Sequence, residues 1–189
     1  GKRFQPRNGN ELMENSRANW LPASLDWGYR LLRPWLFRKD AETAHGQMLA
    51  LVSRMGQSPK LLKLLEATTL SCPESLKTEI WGQTLDNPIG LAAGFDKDGR
   101  IYNPLFALGF GFVEIGTVTP HPQPGNPKPR LFRLPEDKAL INRLGFNNHG
   151  AEAVHQRLCQ QPPQGVLGLN LGKNKDTPLA DAVEDYERG

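Results

Sequence analysis

What most constrains this chain is the recurrence, in its second half, of three apolar, β-prone runs that each end in glycine-rich or polar residues: Ile89 to Ala93, Val113 to Thr117 and Val166 to Leu171. Helix-patterned segments, Ile101 to Leu108 and Ala151 to Gln160, lie between them. Strands that are apolar on both faces belong inside a sheet, and strands alternating with helices pair in parallel. The expected class is therefore α/β. A complete (β/α)8 barrel takes ~250 residues, or ~30 per unit. From Pro88 onward the chain has 102 residues, room for about three such units. The expectation is the N-terminal part of a TIM barrel, cut short, since an open doubly wound sheet would need as many strands again.

The remaining segments read differently. Residues 1–19 are polar and aperiodic and read as a disordered tail. From Trp20 to Met55 the spacing becomes helical: Leu25, Tyr29, Leu32 and Leu36 mark one stripe, and Ala44, Met48, Leu51 and Met55 a second, with Asp40 as its N-cap and Gly56 as its stop. A helical domain is thus expected over 20–71 and the barrel portion over 72–189, opening with a short hairpin around Gly82. A long insert, Pro120 to Asn148, interrupts the second β/α unit; five prolines stiffen its start before a strand-like RLFRL, and a final helix is expected from near Pro178.

Charge narrows the function classes. The net charge is +3, but residues 1–39 hold eight basic against three acidic side chains, leaving the remainder acidic by two. The basic excess belongs to one end, so nucleic-acid binding by the body is not expected. Three of the four tryptophans, Trp20, Trp27 and Trp35, share that end with the arginines. Interfacial aromatics with basic neighbours suit a peripheral membrane surface; a helical hairpin packed on the main domain is the alternative. No run spans a bilayer. Cys72 and Cys159 stand alone, which supports neither a disulfide framework nor a metal site. The chain begins with Gly rather than Met, consistent with a leader removed or not included.

Two phosphate motifs fail. Gly168 to Asn174 lacks the spacer and the Ser/Thr of a Walker loop, and after Gly109 and Gly111 the third glycine of a dinucleotide fingerprint falls at Glu114. What remains lies at strand ends: LAAGFDKDG (Leu91 to Gly99), IGTVTP (Ile115 to Pro120) and LGLNLGKN (Leu167 to Asn174), with INRLGFNN (Ile141 to Asn148) from the insert. Small residues let a flat ring approach the backbone, and a lysine beside it neutralises an anion. In barrels, groups at the C-terminal strand ends converge on one mouth, so Lys97, Thr117 and Asn170 are expected together.

These motifs resemble the class 2, membrane-associated, quinone-dependent dihydroorotate dehydrogenases over about Trp20 to Gly189. The resemblance implies an FMN-containing (β/α)8 barrel preceded by a small helical domain that opens a quinone tunnel. It implies oxidation of dihydroorotate to orotate in pyrimidine (UMP) biosynthesis, with a ubiquinone-type acceptor, at a bacterial cell membrane or the mitochondrial inner membrane. By position it puts Ala92, Ala93, Gly94, Lys97, Thr117 and Asn170 against the flavin. Lys97, Asn142, Arg143, Leu144, Gly145 and Phe146 fall at the substrate, with Asn142 as its hydrogen-bonding amide. His45 and Arg133 fall at the quinone. The family's catalytic serine has no counterpart before Gly189, so the chain is expected to be an N-terminal portion, inactive alone. A non-catalytic membrane-binding or subunit-interaction module is the competing class.

Overall fold

A computed structural model describes residues 20–69 and 72–189; the expected tail, 1–19, lies outside the described residues, as do 70–71. The chain divides into two compact units, Gly1–Lys39 and Asp40–Gly189. In the first, α1 (Trp20–Arg38) runs through Pro34 and ends with Arg38 in its last turn, where a cation suits the unpaired carbonyls. Arg33 lies over the Phe37 ring at 4.7 Å and the Lys39 ammonium over Trp35 at 3.8 Å, so the basic and aromatic residues of this end pair along the helix.

The second unit opens with α2 (Ala41–Gly56), capped as expected: the Thr43 N–H donates to Asp40 Oδ1 at 2.8 Å. A further helix, α3 (Pro59–Thr68), occupies the leucine-rich stretch, with proline in its first turn. Next come β1 (Thr78–Ile80) and β2 (Gln83–Leu85), antiparallel with Ile80 opposite Gln83. Trp81 and Gly82 form their turn, with φ of 51° and 74°, the left-handed pair that a two-residue hairpin requires. Trp81 is 97% exposed.

Parallel pairing begins with β3 (Gly90–Leu91) and β4 (Phe112–Val118), joined through α4 (Tyr102–Ala107). The insert that follows folds back as β5 (Leu131–Leu134) and β6 (Ala139–Asn142), antiparallel with Leu131 opposite Asn142. Helix α5 (Ala151–Gln160) leads to β7 (Val166–Leu171), which pairs in parallel with β4 to give the order β3-β4-β7. The final helix, α6 (Ala182–Arg188), starts after a 3-10 turn at Leu179–Asp181.

The core explains why β4 reads as an unbroken apolar run. Val113, Ile115 and Val118 are fully buried, packed with Ile101, Tyr102 and Leu105 around α4, Val154 of α5 and Leu49 of α2. Each such side chain contributes about 1.5–3 kcal/mol of burial. The insert is tied to the sheet through Thr119: its N–H donates to Asn148 Oδ1 at 3.2 Å, and its hydroxyl accepts from Asn174 Nδ2 at 3.1 Å. Among the described residues no helix is long and apolar enough to cross a membrane.

Candidate active site

At the C-terminal end of β3 the chain turns through Gly94, whose φ of 105° suits glycine and whose missing Cβ faces open space. Two contacts dock this turn on β4: the Gly94 N–H donates to Gly116 O at 2.7 Å, and the Gly116 N–H donates to Asp96 O at 3.0 Å. At Gly116, with φ of 116°, a Cβ would lie 2.5 Å from Asn170 O. Asp96, 1% exposed, accepts the Arg100 and Ile101 N–H groups at 2.8 and 2.7 Å. Its carboxylate thus binds the start of α4, and burial pushes its pKa up against those two bonds. Lys97 projects from between these anchors.

The result is a cavity of about 500 Å³, lined by Ala93, Gly94, Lys97, Thr117, Asn126, Asn142, Arg143, Leu144, Gly145 and Phe146. The structure therefore brings the β3 turn, the end of β4 and the NRLGF segment of the insert onto one space. Ala92 and Asn170 do not line it. Ala92 is exposed one residue away, whereas Asn170, on β7, accepts the Thr117 hydroxyl on Oδ1 at 2.6 Å. Burial holds the Lys97 ammonium below the ordinary lysine value, against the carboxylates of Asp98 and Glu42.

His45, on α2, reaches the same turn from behind. Its Nε2 lies 3.0 Å from Phe95 O and its ring meets Phe95 edge-on at 4.8 Å. A carbonyl only accepts, so Nε2 carries the proton. Burial, reinforced by the Lys97 charge, lowers the His45 pKa. Arg133 stands half-buried on β5, opposite Leu140 of β6.

Several residues of the site escape the sequence reading. Arg130, 6% exposed, grips Glu42 of α2 with two bonds, Nε to Oε2 at 3.0 Å and Nη2 to Oε1 at 2.7 Å. Its Nη1 donates to the carbonyls of Pro124 and Asn126. Asn126 in turn donates from Nδ2 to Arg143 O at 2.8 Å and from its backbone to Leu144 O at 3.0 Å. A path of hydrogen bonds thus runs from α2 through the proline-rich loop to the cavity wall. Glu114, in the middle of β4, accepts from Ala93 N at 3.3 Å and from Asn170 Nδ2 at 3.1 Å. The signals were a single arginine closing a proline run and a single acid in an apolar strand.

Among the described residues, no cluster of three or more His, Cys, Asp or Glu is placed to hold a metal. Further cavities of about 450 and 430 Å³ at the opposite end of the sheet are lined by Cys72, Asn87, Gly109 and Phe110, away from the strand C-termini where barrel sites form.

Comparison with known proteins identifies the family. A family profile described as dihydroorotate dehydrogenase matches residues 75–189. A Chromobacterium violaceum protein named dihydroorotate dehydrogenase (quinone) is 52% identical over 160 residues, 84% of this chain and 44% of that protein. One of the same name from Stenotrophomonas maltophilia is 53% identical over 162 residues, again 84% and 44%. The chain thus spans less than half the length of these curated relatives. Among solved structures, DHODH of Eimeria tenella in complex with ferulenol superposes with a TM-score of 0.64 at 41% identity, covering 76% of this chain and 39% of that one. The three parallel strands are accordingly the N-terminal strands of a TIM barrel, with a helical part ahead of them. With its strand-end cavity, its parallel β/α order and these matches, the chain belongs to the dihydroorotate dehydrogenase family.

Proposed function

We propose that this protein takes part in the oxidation of dihydroorotate to orotate, using FMN and a ubiquinone-type acceptor. The observation that carries the reading is the convergence of Ala93, Gly94, Lys97 and Thr117 with the Asn142–Phe146 segment on one cavity. The residues suit a flavin ring: Gly94 leaves its Cβ space open and a cation stands beside it. Bound there, FMN supplies the two-electron acceptor that links substrate to quinone. Lys97 offsets negative charge at the ring and on the orotate carboxylate, an effect strengthened by its burial. Asn142 orients the substrate by its amide, and the flanking Leu144 and Phe146 exclude water. No residue of this chain is assigned as the base that removes the substrate proton. The helical part, 20–71, serves the membrane, and the quinone is met by His45 of that part together with Arg133 of β5.

The test is the absorption spectrum of the purified full-length protein, then anaerobic addition of dihydroorotate, then of a quinone. The expected result is flavin bands that bleach and recover. Absent flavin, or flavin untouched by dihydroorotate, overturns the reading. His45→Ala should slow the recovery and spare the bleaching; the reverse pattern removes His45 from the quinone site.

A further inference from the structure

Two consecutive residues of the cavity wall, Gly145 and Phe146, have left-handed backbones, with φ of 74° and 52°. A residue with a side chain adopts that conformation at a cost, and little packing offsets it at Phe146, which is 60% exposed. Hydrogen bonds hold the pair instead. Successive residues of one helical hand point their carbonyls the same way, and here both accept from one amide: Gln123 Nε2 lies 3.3 Å from Gly145 O and 3.1 Å from Phe146 O. Asn148 Nδ2 adds a bond to Phe146 O at 2.8 Å. The opposite end of the Gln123 amide, Oε1, accepts from the Lys175 N–H at 3.0 Å and from Asn174 Nδ2 at 3.1 Å, in the loop after β7. A main-chain N–H only donates and a main-chain carbonyl only accepts, so this amide cannot be turned round. The Gln123 backbone is fixed as well, exchanging two bonds of 3.1 Å with Asn148.

We propose that Gln123 is a positioning residue for the substrate: by two donated bonds it fixes Gly145 and Phe146 at the cavity and braces them on the loop after β7. The inference rests on the reading above in which the Asn142–Phe146 segment meets dihydroorotate. Gln123 does not itself line the cavity, so it acts only through the two carbonyls. A glutamine suits the place because it accepts at one end and donates twice at the other.

In the full-length protein, Gln123→Glu keeps the length and the bonds to the loop after β7 but turns a carboxylate oxygen on the two carbonyls. Orotate binding, read from the shift it causes in flavin absorption, should weaken about tenfold at about pH 8, while flavin content stays at the wild-type level. Facing carbonyl oxygens disfavour the charged form, so the introduced acid should take up a proton as the pH falls towards about 5.5. Once protonated it donates a bond again, and the ratio of variant to wild-type dissociation constants should narrow. A loss of general support has no reason to reverse with acid. Gln123→Met, similar in length and unable to donate, should weaken orotate binding by a ratio that does not narrow. A constant ratio in Gln123→Glu, or wild-type affinity in either variant, overturns the proposal. So does flavin lost in step with orotate affinity, or failure of both variants to fold, since either would make Gln123 a support of the fold alone. If only Gln123→Glu resists purification, Gln123→Met decides: weak orotate binding with flavin retained supports the proposal, and any other result overturns it. A wild type that holds flavin but does not bind orotate would instead sink the substrate reading.

Discussion

Replacing Arg130 with methionine keeps the apolar stem and deletes the guanidinium that joins α2 to the proline-rich loop. An exposed ion pair is worth ~0–1 kcal/mol, whereas breaking a buried pair costs ~3–5 kcal/mol. The side chains of Arg130 and Glu42 are 7% and 18% exposed, so the pair lies near the buried limit. Two carbonyls, of Pro124 and Asn126, also lose their donor. The expected loss is about 3–4 kcal/mol, most of it the cost of leaving groups unpaired. Urea unfolding followed by far-ultraviolet circular dichroism measures it, in a cycle with Glu42→Gln. Because both partners vanish together, the double variant should lose little more than Arg130→Met alone, giving a coupling of about 2 kcal/mol. The pH dependence has a definite sign. Hydrogen bonding to Arg130 holds the Glu42 carboxyl below its usual range. Its contribution is therefore complete above the unfolded value of ~4.3 and is lost as pH falls through the folded one. The gap between wild type and Arg130→Met should narrow on acidification. A coupling below about 0.5 kcal/mol, or a gap indifferent to pH, would refute the buried-clamp argument.

Lys97→Gln should weaken flavin or orotate binding, or slow flavin reduction, in the full-length protein; unchanged titrations and unchanged stopped-flow bleaching would remove Lys97 from the site. Gly116→Ala drives a Cβ to 2.5 Å from Asn170 O at a φ of 116°, and should cost at least about 2 kcal/mol by thermal unfolding. Asp96 has a pKa raised by burial, so its favourable contribution is full below the unfolded value of ~3.9 and is lost as pH rises. Asp96→Asn should thus gain on the wild type in urea midpoints as the pH rises above about 4; a constant difference would contradict the burial argument.

Two of the parallel strands were legible because β4 and β7 are apolar runs that each follow a glycine, and each spans close to its expected residues, whereas β3 forms over Gly90–Leu91 alone of the expected Ile89 to Ala93. Two elements were not. Helix α3 hid in a leucine-rich stretch whose start signal, Ser58–Pro59, is short, and β6 is exposed along its whole length, so no alternation marks it. For the site, the turn at Gly94 and the NRLGF segment announce themselves through local composition. The meeting of Thr117 with Asn170 does not, because it depends on the register that places Gly116 opposite Asn170. Arg130 and Asn126 act through backbone carbonyls in an irregular loop, where neither periodicity nor spacing carries a signal.

Trp81 is the one tryptophan between Asp40 and Gly189, and its indole already stands in water at the hairpin tip. Indole emission follows the polarity of its surroundings, and unfolding moves this one from solvent to solvent. The emission of that unit is consequently blind to the collapse of its sheet. Tyr102, 2% exposed with its hydroxyl on the Gln161 carbonyl, is the chromophore whose near-ultraviolet dichroism follows the core. What Trp81 does report is occlusion: a blue shift at constant dichroism would register a surface settling over the hairpin.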